Sequence, residues 1–349
     1  MAGIILGLVG ETNVNRPNPE TAFDDVRDML GKADALIGHL ESPVHDSPST
    51  NKDMPDLAYK KDWGLSTPDS ILAWKSMGFD ALGTASNVSG NPESIVCTVK
   101  ALDEAGIAHA GTGENITAAR RPAIFEKKGM KFGLLSYTSV YYPMYVPALA
   151  QKPGAATVKA EMSIIPSPRS IEMPGVPPRV TTWLDPAEKA EMLDDVKKLR
   201  EQVDFVILSC HWGVTDSTET LEYQKEFARA AIDAGADCVM GHHPHRPQGV
   251  EFYKEKPIFY SMGNFAFDWW FIRHWDKKGM VAFLTLDGRN VTKVRVVPCF
   301  RREDNQIAPA PFDSKEGGEI IESVRTLSEA MGTELNLVDG ELILTAKQL

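Results

Sequence analysis

Three of the chain's eight histidines fall within four residues, in Gly241-His242-His243-Pro244-His245. Neutral imidazole is the commonest metal ligand near pH 7. His243 and His245 stand two apart, so on an extended turn both can aim at one ion. The run follows an apolar segment, Ala236-Asp237-Cys238-Val239-Met240. A turn at the end of a buried strand is where open α/β proteins keep their chemistry. A polar surface turn is the bland alternative. An expression tag fits poorly, because the run is internal and flanked by core-like sequence. Glu11, Glu41, Asn87, His211 and Asn264 each stand just past another predicted strand. With His243 and His245 they make seven metal-competent or amide side chains.

The elements that must position them read as alternating strands and helices. Strands are predicted to end near Val9, over Ala33–Leu40, Phe79–Thr84, Phe205–Cys210, Cys238–Met240 and Pro257–Ser261. Helical spacing appears at Thr21–Leu30, Thr67–Met77, Pro92–Ala105, Asp185–Val203, Leu221–Ala234 and Ile320–Met331. Lys128-Gly129 and Asp287-Gly288 each join a predicted strand pair. Two short apolar runs close the chain, around Leu335–Val338 and Leu342–Leu344. The alternation predicts a largely parallel sheet, whose strand ends gather on one edge. Between Tyr141 and Trp183 the pattern dissolves into a Pro-rich stretch, read as a lid, with a dimer arm as rival.

The net charge of −11 disfavours phosphate backbones and anionic membranes. Neither nucleic acid nor a membrane is an expected partner; a small-molecule or peptide-like substrate is, and homo-oligomer formation is left open. Cys97, Cys210, Cys238 and Cys299 match no zinc or redox spacing. They read as reduced and structural. The apolar N-terminus reads as a first buried strand rather than a secretion signal. No run is long enough to span a bilayer, so a cytoplasmic setting is expected.

The order of these strand ends resembles the CapA family of poly-γ-glutamate capsule-synthesis proteins, within the calcineurin-like metallophosphoesterase superfamily. The matching stretches are Gly10-Glu11, Leu40-Glu41-Ser42-Pro43, Gly78-Phe79-Asp80, Ala85-Ser86-Asn87, Gly111 to Asn115, His211-Trp212-Gly213, Ala234 to Asp237, Gly241 to His245 and Tyr260 to Phe265. The resemblance implies an α/β class fold, a four-layer α/β/β/α sandwich of metallophosphoesterase type, over residues 1–300. Residues 141–183 would be an insertion or lid, and 301–349 an extension packing on the same domain. It also implies a dinuclear centre. Glu11 stands where the family has an aspartate ligand, and Glu41 where a carboxylate bridges the ions. Asn87, His211, His243 and His245 match the remaining ligands. Two divalent ions, zinc, manganese, iron or cobalt, are the implied cofactors.

Two positions depart from the family pattern. Glu11 is one methylene longer than aspartate. Val88 stands where histidine usually follows the asparagine and protonates a leaving group. Valine donates no proton, and a general acid contributes ~10²–10⁴ in rate. His39, His45, His242, Tyr141, Tyr142 and His274 are candidate replacements; His242, His39 and Asn264 are the residues assigned to catalysis. The expected activity is a metal-dependent hydrolase, with metal-activated water attacking an amide, ester or phosphoester. A metal-assisted epimerase and a non-enzymatic capsule-assembly or binding protein are the rivals. His109 reads as structural. Arg120 and Arg121 read as an anion clamp or a solvated surface, and the aromatic run Trp269–Trp275 as core, subunit contact or pocket wall.

Overall fold

The computed structural model describes residues 3–45, 66–173, 175–268 and 277–347. The chain opens with β1 (Ile4–Asn13), α1 (Arg27–Leu30), β2 (Ala35–Leu40), α2 (Ile71–Met77), β3 (Ala81–Gly83), α3 (Pro92–Ala105), β4 (Ala108–Ala110) and β5 (Thr112–Gly113). It continues with α4 (Ile116–Ala119), β6 (Ala123–Lys127), β7 (Met130–Thr138), β8 (Gly154–Ala155), β9 (Ala160–Ile165), β10 (Arg179–Leu184), α5 (Pro186–Arg200), β11 (Phe205–His211), α6 (Glu222–Ala234) and β12 (Cys238–His242). It closes with β13 (Val250–Tyr253), β14 (Lys256–Phe259), β15 (Asn264–Phe267), β16 (Lys278–Asp287), β17 (Asn290–Arg301), β18 (Ile307–Pro309), α7 (Lys315–Glu329), β19 (Thr333–Val338) and β20 (Glu341–Ala346).

Two large sheets stack face to face. One runs β19-β20-β17-β16-β1-β2-β3-β4, with β15 beside β1 and β18 beside β17; the other runs β13-β14-β12-β11-β7-β6. Leu6, Leu8, Ile37, Phe132, Leu134, Phe205, Ile207 and Met240 fill the space between them. Phe23, Val26, Leu30, Trp74 and Leu102 cover the outer face of the first sheet. Met192, Val196, Leu199, Phe227 and Ala231 of α5 and α6 cover the second. The result is the expected α/β/β/α sandwich. The first sheet is parallel from β1 through β2 and β3 to its edge strand β4, and the second is parallel at its centre, over β7, β11, β12 and β14. β16, β17 and β20 pair antiparallel on one side of the first, and β6 and β13 on the flanks of the second.

Local sequence explains the well-read elements. Phe205 to His211 is buried on both faces, which is why the strand reads as a continuous apolar run. Asp185 caps α5 by accepting from the backbone N–H groups of Ala187 and Glu188. Asn91 caps α3 by accepting from Ser94, and Gly106 ends that helix at φ 73, where glycine carries no Cβ penalty.

Three expectations need correction. β1 does not stop at Val9: β15 adds alongside it, Glu11 opposite Asn264, and the strand runs to Asn13. Thr21–Leu30 is not one helix. Ala22 and Phe23 are both drawn into the core, and the chain breaks into 3-10 turns at Pro19–Thr21 and Asp24–Val26 before α1. The stretch 141–183 is not patternless. β9 and β10 form an antiparallel ribbon with Ile164 opposite Val180. Its prolines lie outside both strands, as the missing N–H requires, and their density hid a ribbon of two six-residue strands.

Asp237 anchors the N-terminal end of β12. It is fully buried, accepts from Val206 N at 2.9 Å and pairs with Arg200 at 2.5 Å and Lys256 at 3.1 Å. Asp237→Ala strands a buried donor and two cations, and should destabilise the fold by about 2–4 kcal/mol. Denaturant unfolding would read this directly, and a loss below about 0.5 kcal/mol would refute it. Among the described residues, no helix is long and apolar enough to cross a membrane.

Candidate metal centre

The first sheet supplies carboxylates and the second supplies imidazoles. Glu11 lies on β1, and Glu41 directly follows β2, its N–H donating to Thr12 O at 2.9 Å. His211 ends β11, opposite His242 on β12. The turn past β12 carries His243 and His245, both with left-handed φ, 93 and 58. Such conformations are costly for a residue with a Cβ and cluster at functional sites. The turn is held tightly from below. A Cβ at Gly241 would lie 2.1 Å from Tyr260 O, so only glycine lets the two backbones approach this closely. Trp212 Nε1 donates to that same carbonyl at 2.8 Å.

Six of the residues read from sequence meet around one point. Glu41 Oε1 lies 3.9 Å from His211 Nε2 and 3.7 Å from His245 Nε2. His243 Nδ1 lies 3.1 Å from His211 Nε2, and Asn87 Oδ1 lies 2.9 Å from that same nitrogen. Glu11 Oε2 is 2.6 Å from His245 Nδ1, and Glu11 Oε1 accepts from the His243 backbone N–H. Two triads result, Glu41–His211–His243 and Glu11–Glu41–His245, each with ligand atoms within 4.8 Å of one another. Glu41 belongs to both.

Supporting contacts orient the imidazoles. Asn264 Oδ1 sits 2.9 Å from His245 Nδ1, and its amide donates to His245 O at 3.3 Å. Thr215 Oγ1 sits 3.0 Å from His243 Nε2. That contact turns Nδ1 toward the cluster, the kind of outer bond that sets a metal-binding tautomer. Sequence reading missed Thr215. Its only signal was position, four residues past His211 on the loop leaving β11.

The electrostatics suit a cation. Burial lowers the His243 pKa to about 3, with His245 adding to the effect. Burial and the neighbouring histidines hold His211 well below its ordinary value. Both are therefore neutral at pH 7, the ligating form. Burial would also lower His245, but Glu11 and Glu41 carry it up to about 10. Burial, and then the adjacent Glu11, raise Glu41 well above the usual carboxylate range. Among the described residues, none donates a hydrogen bond to Glu41 Oε2. Among the described residues, the ion-pair partners of Glu11 and Glu41 are histidines rather than Lys or Arg. Two buried carboxylates facing imidazoles, with neither Lys nor Arg paired to them among the described residues, fit a pair of divalent ions.

Other sequence candidates fall elsewhere. His39 and His242 are fully buried behind the ligand set, their rings stacked at 4.2 Å. His45 faces Glu93 at 3.6 Å, and His109 faces Asp103 at 3.2 Å. Arg120 is engaged by Asp195 and Glu191 of α5, which opposes its use as an anion clamp. Val88 is buried beside Asn87. His274 and the aromatic run Trp269–Trp275 lie outside the described residues.

A family model for the bacterial capsule synthesis protein PGA_cap matches residues 4–269, well over half of the chain. The chain belongs to this family. The CapA likeness read from the motifs agrees with it. Relatives in the family include the uncharacterized protein y4sH of Sinorhizobium fredii (strain NBRC 101917 / NGR234), 30% identical over 75% of this chain and 64% of that protein. The capsule biosynthesis protein CapA of Bacillus anthracis is 28% identical over 76% of this chain and 58% of its own length. The PGA biosynthesis protein CapA of Bacillus subtilis (strain 168) is 25% identical over 97% and 79%. The chain spans 64% and 66% of the two Sinorhizobium fredii relatives it matches, y4sH and y4uA. Among solved structures, GAP50, the anchor in the inner membrane complex of Plasmodium, aligns over 87% of this chain and 86% of that one. Its TM-score of 0.34 and 8% identity are too loose to bear on chemistry.

Removing one imidazole should empty its triad. His211→Ala or His243→Ala is expected to lower the bound metal, and with it any metal-dependent turnover, because each deletes a candidate ligand. Metal content measured beside turnover tests this; full occupancy in either variant would contradict the assignment.

Proposed function

We propose that this chain is a metal-dependent hydrolase that cleaves an amide or ester of a small or peptide-like substrate, within poly-γ-glutamate capsule chemistry. One observation carries the reading: Glu41 is common to two buried ligand triads. When bound there, a pair of divalent cations would polarise the scissile carbonyl or phosphoryl oxygen and acidify a water toward a pKa near ~7. Glu11, Asn87, His211, His243 and His245 would complete the two coordination sets. Thr215 and Asn264 keep the His243 and His245 rings aimed inward. The burial of these carboxylates and imidazoles strengthens each charge interaction among them.

Val88 bears on the bond cleaved. With valine beside Asn87, the chain offers no acid at the position where the resemblance to metallophosphoesterases implies one. This tilts the proposal toward an acyl bond. The names of three relatives, capsule biosynthesis protein, PGA biosynthesis protein and probable polyglutamine synthesis accessory protein, support the capsule setting. They also keep an assembly role as a second reading.

The decisive experiment is metal quantification on purified protein, followed by a panel of γ-glutamyl amides, esters and phosphodiesters. Metal-dependent turnover of an amide or ester supports the proposal. Less than about half an equivalent of any transition metal after supplementation, when a built site would be filled, would favour the assembly role. Solvent deuterium appearing at a substrate carbon without cleavage would favour epimerisation.

A further inference from the structure

The metal centre is divided between the two sheets. Glu11, Glu41 and Asn264 come from the ten-stranded sheet and its exits; His211, His243 and His245 come from the six-stranded sheet. Each triad mixes the two sources. The spacing of the sheets therefore sets whether either triad can close on an ion.

Directly behind the centre, a side-chain hydrogen bond crosses that gap. His39 Nδ1 lies 3.2 Å from Ser209 Oγ, and both residues are fully buried. His39 stands two residues before Glu41, and Ser209 two residues before His211. Period-two alternation in strands places each on the same side of its sheet as the ligand above it. The His39–Ser209 contact thus lies one step beneath the Glu41–His211 pair, 3.9 Å apart. The His39 ring also stacks against His211 at 5.2 Å and 18°, and against His242 at 4.2 Å and 12°.

Two further observations indicate that this seam is built for more than packing. A Cβ at Gly83 would lie 2.6 Å from Ser209 Oγ and 3.0 Å from His39 Nδ1, so glycine on β3 leaves room for the bridge. Among the described residues, His39 Nε2 and both ring nitrogens of His242 have no hydrogen-bond partner. Apolar rings would fill this space without that desolvation cost, so volume alone does not explain imidazoles here.

We propose that His39, through Ser209, is a positioning residue that holds the two halves of the metal centre at coordinating distance. His242 backs it as the outer ring of a three-imidazole stack. The proposal rests on the metal-centre reading above, but its consequence is separate. The bridge determines how tightly and how closely together two ions are held, without itself being a ligand.

The test compares wild type, His39→Phe, Ser209→Ala and His39→Gln as full chains stripped of metal and titrated with manganese(II) chloride. Stoichiometry and affinity come from calorimetry, and the exchange-coupled signal of the manganese pair comes from electron paramagnetic resonance. Circular dichroism and the unfolding midpoint check the fold. The phenylalanine and alanine variants should bind manganese ~10–100-fold more weakly, the range typical of outer-shell changes, with an altered pair signal. His39→Gln keeps a hydrogen-bonding group and should recover most of both. Ser209→Ala removes one oxygen, so it keeps the test open if His39→Phe fails to fold. Folded variants that bind manganese and couple it as wild type does would overturn the positioning role alone. A wild-type chain that binds no manganese would overturn the metal-centre reading beneath it.

Discussion

Glu41→Gln is expected to cost both metal equivalents, whereas His211→Ala or His243→Ala removes a ligand from one triad. The asymmetry follows from geometry, because Glu41 is the only residue common to the two clusters among the described residues. Glutamine is nearly isosteric but carries no charge, so Glu11 would be left as the sole buried carboxylate facing the imidazoles. Metal polarisation is worth several kcal/mol of transition-state stabilisation. A loss of about 4 kcal/mol corresponds to a rate fall on the order of 10³-fold. The fold should survive, because Glu41 is drawn toward protonation in the metal-free chain and the neutral amide resembles that state. Elemental analysis with turnover under the same conditions checks the claim. A Glu41→Gln protein that keeps two equivalents would remove Glu41 from the bridging role.

Val88→His is the second large effect, and it is a gain. Val88 is buried next to Asn87, which touches His211 at 2.9 Å. A histidine there would place a proton donor beside the ligand cluster. General acid catalysis contributes ~10²–10⁴ in rate. The gain should be smallest on an aryl phosphodiester, whose leaving group needs little help, and larger on an alkyl one. Phosphodiester turnover measured with metal bound decides the matter. An unchanged rate on both substrates, with metal retained, would show that position 88 does not govern phosphoester chemistry.

Much of this architecture was legible in the sequence because it rests on local rules. The capped helices α3 and α5 and the doubly buried strand β11 declare themselves through end residues and unbroken apolar runs. The candidate ligands were legible because each lies near a strand end, and parallel neighbours bring such ends together. What stayed hidden depends on pairing across long sequence separations. β15 has four residues and forms because β1 lies beside it; pairing with β15 on one side and β2 on the other puts Glu11 in a strand rather than a loop. The β9–β10 ribbon was masked by the prolines around it. The contact of Thr215 with His243, and the stack of His39 between His211 and His242, need the two sheets assembled. No spacing along the chain encodes either.

Anomalous diffraction from crystals of the manganese-loaded protein tests the central claim most directly. Two peaks should flank the Glu41 carboxylate, one against His211 and His243, the other against Glu11 and His245. Manganese bound elsewhere, or a cluster without density at either position in the loaded crystal, would contradict the account.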